Sequence, residues 1–272
     1  MTAAIVSACA AGPDDARPAL RRHDLFVMFS ARAPVDAPEV FRDHFTTRDY
    51  ARVDTLPRDV DVARARRYAL PTSLRERWAG WPGVRHWVGR GCGRGTPGLV
   101  VYDPERRDLT PPDEQRRIVG SIRRAARLVH GTGCHSFGLA PGATPLFGLD
   151  PGSCDFDLAR GSYRRVPWRR VDLVDVQAQR LAGDDCATRD GIARYDDFVS
   201  SVAAHVRARN PRILVVTQVS FRDSPPARMI EALARVAPVV DGVYFSYPTT
   251  NDDIPCRYCT PSNMAALLDG LR

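Results

Sequence analysis

The sequence predicts an α/β fold of the (β/α)8 TIM type, a barrel of parallel strands covered by helices. Three observations indicate this fold. Short runs of β-branched and aromatic residues recur along the chain, amphipathic stretches with helical spacing alternate with them in the second half, and the strand runs are almost wholly apolar. Parallel strands need crossover connections and are covered on both faces, which explains both the alternation and the apolar runs. The length of 272 residues suits one domain, because such barrels commonly take about 250 residues.

Six strands are predicted, over residues 25–29, 99–102, 136–139, 171–179, 213–221 and 239–247. Helical spacing predicts helices over 114–130, 195–209, 227–236 and 262–271. The stretch 32–96 is rich in Pro, Arg and Asp and shows little periodicity, so the missing strands of an eightfold barrel must come from it, and 84–88 is the best candidate. If no strands form there, the barrel is irregular or incomplete in its first half, or the sheet is open and doubly wound.

We divide the chain into a flexible amino-terminal segment, 1–22, and a single barrel domain, 23–272. Residues 4–9 read Ala-Ile-Val-Ser-Ala-Cys and resemble the end of a bacterial lipoprotein signal, in which the Cys is lipidated. The basic start and the longer apolar region of such a signal are missing, so a lipid anchor at Cys9 requires a start further upstream. In that case the protein is exported or held at the cell surface, and otherwise it is cytoplasmic.

Cysteine usage bears on the same question. The chain has seven cysteines, and setting Cys9 aside leaves an even six for disulfides. These six are Cys92, Cys134, Cys154, Cys186, Cys256 and Cys259. The alternative is that all are reduced thiols. The segment from Cys256 to Cys259 is a single Cys-x-x-Cys, for which a disulfide or two free thiols are expected in preference to zinc.

Charge and motifs exclude several classes of function. The net charge is +7, but every basic side chain apart from histidine is Arg, as a high-GC coding sequence would give, and no nucleic-acid-binding motif accompanies the charge. We therefore expect a solvated basic surface and no nucleic-acid partner. No Gly-rich phosphate loop joins a strand to a helix, and no His-x-His or His-Glu-x-x-His spacing occurs. No cofactor and no metal site are predicted.

The first group of candidate catalytic residues follows an apolar strand. Val101 and Tyr102 lead directly into Asp103, Pro104 and Glu105. Side chains alternate along a strand, so Asp103 and Glu105 point to the same side, and the carboxyl ends of barrel strands form the active-site mouth. The alternative is an Asp-Pro turn with a surface Glu.

The second group lies in the segment from Asp172 to Gln179. Asp175, Gln177 and Gln179 share one face of the predicted strand, and buried polar groups are costly unless they are satisfied or line a cavity. The spacing resembles the Asp-x-x-Asp-x-Asp-x-Glu strand of chitinase-like glycoside hydrolases. That resemblance implies a TIM barrel and a sugar-binding groove, but Gln179 stands where the family has its catalytic acid and cannot donate a proton as a carboxylic acid does.

Further polar residues end two more predicted strands: Gln218 and Ser220, then Ser246 and Tyr247. Amide, hydroxyl and phenol groups around one or two carboxylates suit a neutral polyhydroxylated ligand. Four tryptophans could stack on sugar rings or pack loops onto the barrel. They are Trp78, Trp81, Trp87 and Trp168.

Together these residues predict a glycoside hydrolase-like barrel protein that acts on or binds a carbohydrate. Glu105 is the candidate acid, and Asp103 or Asp175 is its partner, because glycoside cleavage needs two such groups. Gln177, Gln179, Gln218, Ser220, Ser246 and Tyr247 are the candidate substrate-binding residues. The alternatives are a sugar-binding protein without catalysis and a barrel enzyme of small-molecule metabolism.

Overall fold

The computed structural model describes residues 25–30, 40, 50–53, 74–79, 84–85, 88–89, 98–104, 110–141, 147, 162–183, 191–222, 224–246 and 256–271. Its sheet has eight parallel strands in chain order. They are β1 (Phe26–Ser30), β2 (Tyr50–Val53), β3 (Leu74–Ala79), β4 (Leu99–Tyr102), β5 (Ser136–Leu139), β6 (Leu173–Val176), β7 (Leu214–Ser220) and β8 (Gly242–Ser246). The sheet curls until β8 pairs in parallel with β1, with Val27 opposite Val243. The predicted parallel α/β architecture is thereby confirmed.

The first half of the chain differs from the prediction in one place. Val84, Arg85 and Val88 have helical backbone, so the strand expected over 84–88 is wrong. Val84 and Val88 stand four residues apart, one helical turn, and both contact the core. The strands come instead from β2 and β3, in which Arg and Glu interrupt the apolar run that marks a buried parallel strand.

Six helices are described: α1 (Pro112–Arg116), α2 (Ile118–His130), α3 (Gln179–Ala182), α4 (Gly191–Arg207), α5 (Pro226–Val236) and α6 (Pro261–Gly270). The helix predicted over 114–130 is interrupted at Arg117, whose φ of −122° and ψ of 38° are not helical. In the part of the chain covered here, helices follow β4, β6, β7 and β8, so strand and helix alternate as predicted in the second half. None of the described helices is long and apolar enough to cross a membrane.

Buried side chains form two layers, one inside the barrel and one between the sheet and the helices. The inner layer consists of Met28, Leu99, Val101, Ala140, Leu173, Val216 and Tyr244. The outer layer includes Val100, Val174 and Val215, the strand neighbours of inner residues, packed with the apolar faces of α2, α4 and α5. The alternation shows directly which strand residues face the barrel interior.

Two aspartates brace the amino ends of the strands. Oδ2 of Asp172 accepts a hydrogen bond of 2.7 Å from the backbone N–H of Phe137 and lies 2.7 Å from Nε2 of His130 at the end of α2. In the same way, Oδ2 of Asp241 accepts from the N–H of Val215 at 2.7 Å and from Arg207 at the end of α4 at 2.8 Å. We call these two groups the aspartate clasps, and each ties a helix to two strands.

Candidate functional site

Polar side chains replace the apolar inner layer toward the carboxyl ends of the strands. Because Leu173 and Val216 face the interior, alternation points Asp175 on β6 and Gln218 on β7 to the same interior. Ser246 of β8 stands opposite Ser220 of β7 in the strand register. The prediction that polar residues of several strands share the carboxyl end of the barrel therefore agrees with the backbone.

The structure brings two candidate residues into direct contact. Nε2 of Gln177, just beyond β6, donates a hydrogen bond of 3.0 Å to Oδ1 of Asp103, just beyond β4. Both side chains are partly exposed. β5 lies between these two strands, and Ala140, the first residue after it, brings only a methyl group to the inner layer. One amide and one carboxylate thus stand together at the barrel mouth.

Asp175 lies deeper than this pair and is fully buried. Burial first, and the negative charge of Asp175 second, raise the pKa of Tyr163. Burial is also the main reason that the pKa of Tyr195 is raised. The hydrogen bond with Thr217 lowers this pKa, and the negative charge of Asp175 raises it. Burial is thus the main reason that the pKa values of both phenols are raised, and the charge of Asp175 acts in the same direction. Of these two candidate carboxylates, Asp103 is the one nearer to solvent.

Gln218 and its neighbours add hydrogen-bonding groups below the mouth. Gln218 is 6% exposed, and its Oε1 accepts no hydrogen bond from any group in the described residues. It stands opposite Tyr244 of the inner layer. Ser220 is committed in part to its own turn, because its Oγ accepts from the N–H of Arg222 at 3.2 Å. A buried amide oxygen without a donor is costly, and a donor group of a ligand would satisfy it.

Gln179 departs from the prediction that it shares the strand face of Asp175 and Gln177. β6 ends at Val176, and the backbone turns at Ala178 (φ −112°, ψ 9°), so Gln179 is the first residue of α3. Leu181 and Ala182 are buried, and this packing favours a helix over a longer strand. Oε1 of Gln179 is buried without a hydrogen-bond partner among the residues described.

The structure describes only some of the other predicted site residues. Glu105 and Tyr247 lie outside the described residues, as do Trp81 and Trp87, and of Trp78 only the backbone is described. Trp168 is 1% exposed and donates from Nε1 to the carbonyl oxygen of Tyr163 at 2.8 Å. It therefore packs a turn onto the barrel and offers no face to a sugar.

Sequence reasoning did not identify Glu114, a buried carboxyl near the same rim. Tyr102 donates from its hydroxyl to Oε2 of Glu114 at 2.7 Å, and Oε1 is buried without a partner in the described structure. Burial raises the pKa of Glu114, and the hydrogen bond from Tyr102 lowers it by less. Glu114 follows Pro112 and Asp113 in a short polar helix, so nothing in the pattern distinguishes it from a surface residue.

Cys256 and Cys259 form a disulfide, one of the two states predicted for this pair. Cys134 is also disulfide-bonded. Asp172, the first position of the chitinase-like pattern, belongs to an aspartate clasp at the end of the barrel opposite the mouth. No group of three or more His, Cys, Asp or Glu side chains in the described part of the chain could hold a metal ion.

No protein-family model and no curated protein matches the sequence. Solved structures match the fold. A GH5-4 broad-specificity endoglucanase from Clostridium longisporum has a TM-score of 0.52 at 9% identity, over 94% of this chain and 98% of that one. Sph3 of Aspergillus clavatus, solved in complex with GalNAc, has a TM-score of 0.51 at 13% identity, over 91% of this chain and 96% of that one.

A third solved structure with a similar fold is an enzyme of a different class. The pyruvate carboxylase of Rhizobium etli has a TM-score of 0.52 at 10% identity; 92% of this chain is covered, and the chain spans 28% of that protein. At these identities the likeness shows the fold alone. The chain therefore has a TIM-barrel type of fold, which proteins of different activity share, here an endoglucanase and a pyruvate carboxylase.

Proposed function

We propose that this chain is a glycoside hydrolase-like protein with a complete (β/α)8 barrel, and that it binds and cleaves a carbohydrate at the carboxyl ends of its strands. The observation that carries the proposal is the hydrogen bond between Gln177 and Asp103. It puts a carboxylate and an amide side by side at the mouth, above an interior that also contains Asp175 and Gln218. Such a set binds hydroxyl groups through both donors and acceptors.

In the proposed reaction Glu105 protonates the leaving glycosidic oxygen, and Asp103 or Asp175 stabilises or attacks the anomeric carbon. Asp103 is favoured for the second role, because it is partly exposed whereas Asp175 is fully buried. The hydrogen bond from Gln177 stabilises the charged form of Asp103, which both roles require. The substrate-binding groups are Gln177, Gln179, Gln218, Ser220, Ser246 and Tyr247.

A sugar-binding protein without catalysis is the alternative. It is favoured by the amides of Gln177 and Gln179, which stand where the chitinase-like pattern has carboxylates. Amides bind hydroxyl groups well but do not donate protons as acids do. In this case the barrel and its polar mouth serve recognition alone.

The disulfides support an exported protein. The bond between Cys256 and Cys259, together with the bonded state of Cys134, is typical of proteins in an oxidising compartment. A lipid anchor at Cys9 is part of this proposal.

The test is a screen of the purified protein against chromogenic glycosides and a glycan array, repeated with Glu105→Gln. The matched control is Glu231→Gln, which removes a carboxylate of α5 that is 59% exposed. A hydrolase loses turnover in Glu105→Gln, keeps binding, and is unaffected by Glu231→Gln. Array binding without turnover in the wild type selects the binding protein. The absence of both overturns the proposal, and full turnover in Glu105→Gln removes that residue from the mechanism.

A further inference from the structure

Six exposed arginines stand on two neighbouring turns at the amino ends of β6 and β7. We call this surface the arginine face. It consists of Arg164, Arg165, Arg169, Arg170, Arg209 and Arg212. The mouth with Asp103 and Gln177 lies beyond the opposite, carboxyl ends of the strands, so the two surfaces are separate.

The two turns are held against each other by well-defined contacts. Nδ2 of Asn210 donates to the carbonyl oxygen of Trp168 at 3.1 Å and to that of Val171 at 2.8 Å. The ring of His205 packs edge-on against Trp168, with 6.4 Å between centroids. These contacts fix the backbone beneath the arginine face, so the charges are presented by a rigid support.

The charge of these two segments is unbalanced. Within residues 162–172 and 204–214 the one acidic residue is Asp172, which is engaged in its clasp with His130 and Phe137. Burial, and beyond it the positive charges of Arg209 and Arg164, lower the pKa of His205. Nη1 of Arg209 lies 3.2 Å from Nδ1 of His205 and donates to the carbonyl oxygen of His205 at 3.0 Å, so this guanidinium stands directly against the imidazole.

We infer that the arginine face binds an anionic polysaccharide through its carboxylate or sulfate groups. Guanidinium groups bind such oxyanions with paired hydrogen bonds, and a row of them suits a polymer that repeats its charge. The site is additional to the mouth and does not depend on the reaction proposed there.

A polysaccharide is favoured over single-stranded nucleic acid for two reasons. Bases are bound by stacking on exposed aromatic rings, whereas the aromatic residues of these turns, Tyr163 and Trp168, are each 1% exposed. The disulfide between Cys256 and Cys259 supports an oxidising, extracellular compartment, where acidic polysaccharides are present.

The test measures binding of the whole protein to immobilised polygalacturonate and dextran sulfate, with neutral dextran and single-stranded DNA alongside, over a range of salt concentrations. The variant is Arg169→Ser with Arg170→Ser. Its matched control is Arg116→Ser with Arg123→Ser, which removes the same charge from exposed positions of α1 and α2. Thermal denaturation confirms that both variants are folded.

We expect binding to one or both anionic polymers, weakened by salt, and no binding to neutral dextran. The polymer that binds distinguishes carboxylate from sulfate recognition. The Arg169 and Arg170 variant should lose affinity by about fivefold or more, with a shallower salt dependence because fewer counterions are released, whereas the control should stay within about twofold. Equal losses in the two variants, no binding to either polymer, or DNA binding as tight as polymer binding overturns the inference.

A second readout locates the polymer. Saturating polymer should raise the pKa of His205, followed by NMR and assigned with His205→Gln, because a nearby anion favours the imidazolium ion. An unchanged titration of His205 places the polymer elsewhere and overturns the inference. A failed glycoside screen leaves both readouts unaffected, so failure of the mouth proposal is distinguishable from failure of this one.

Discussion

Gln177 donates a hydrogen bond of 3.0 Å to Asp103 and so joins the ends of β6 and β4, two strands that are not neighbours in the barrel. The contact spans 74 residues of sequence. It turns two isolated sequence candidates into one hydrogen-bonding unit, on which the proposed ligand site depends.

The first prediction concerns this unit. Gln177→Ala should weaken binding of a carbohydrate selected on the array by about tenfold, because in the proposed site the amide also hydrogen-bonds a ligand hydroxyl, and such a bond contributes about 1–1.5 kcal/mol. The melting temperature should change little, since both groups are partly exposed. Titration calorimetry measures the affinity. Ser200→Ala is the control, because it removes a similar bond to Asp196 on α4. Unchanged affinity in Gln177→Ala would exclude the pair from binding.

The second prediction tests the packing inside the barrel. A Cβ on Gly138 of β5 would lie 2.7 Å from Cγ2 of Val101, a stiff β-branched side chain. Gly138→Ala should therefore cost about 1–3 kcal/mol of unfolding free energy in urea. The control is Gly120→Ala on α2, where the new Cβ would lie 4.0 Å from its nearest neighbour, Cβ of Arg117. This change should raise the free energy of unfolding by about 0.5–1 kcal/mol, because alanine favours a helix over glycine. If Gly138→Ala were neutral, the inner layer would be looser than described.

The third prediction concerns pH. The folded-state pKa of Glu114 is raised by burial, so folding favours its protonated form. The native state then binds more protons than the unfolded state, and stability falls as the pH rises from the unfolded pKa through the folded one. Glu114→Gln, whose amide oxygen still accepts from Tyr102, should be more stable than the wild type at pH 7 and no more stable near pH 4. Urea unfolding at the two pH values measures this, and an identical pH dependence in both proteins would contradict it.

The fourth prediction concerns the aspartate clasps. Asp172→Ala and Asp241→Ala should each lower the unfolding free energy by about 1–2 kcal/mol, because each leaves a strand N–H and a basic side chain without their acceptor. Asp197→Ala, an exposed change on α4, should stay within about 0.5 kcal/mol. Urea denaturation compares the three. A loss in Asp197→Ala as large as in the clasp variants would mean that the clasps contribute nothing particular.

The fold was predictable where apolar strands alternate with amphipathic helices, from β4 onward. β2 and β3 were not predicted, because their charged residues interrupt the apolar run that marks a buried strand. Val84 and Val88 lie on helical backbone, which a segment of five residues is too short to indicate. A window of about five residues does not distinguish the helical period of 3.6 residues from the strand period of two.

For the site, the period of two predicts that Asp175 and Gln218 share the inner face with Leu173 and Val216. The length of β6 could not be predicted, because the turn at Ala178 depends on the packing of Leu181 and Ala182 beneath it. The burial of Glu114 depends on Tyr102, twelve residues away, and no local pattern carries that information.

The pairing of β8 with β1 gives the sheet no outermost strand. Every described strand has a neighbour on each side, so a second molecule meets no row of free amides along which it could add a strand of its own. Opening of that single seam would create two such rows at once, on strands as apolar as β1 and β8. Self-association by strand addition therefore requires the closed sheet to open first.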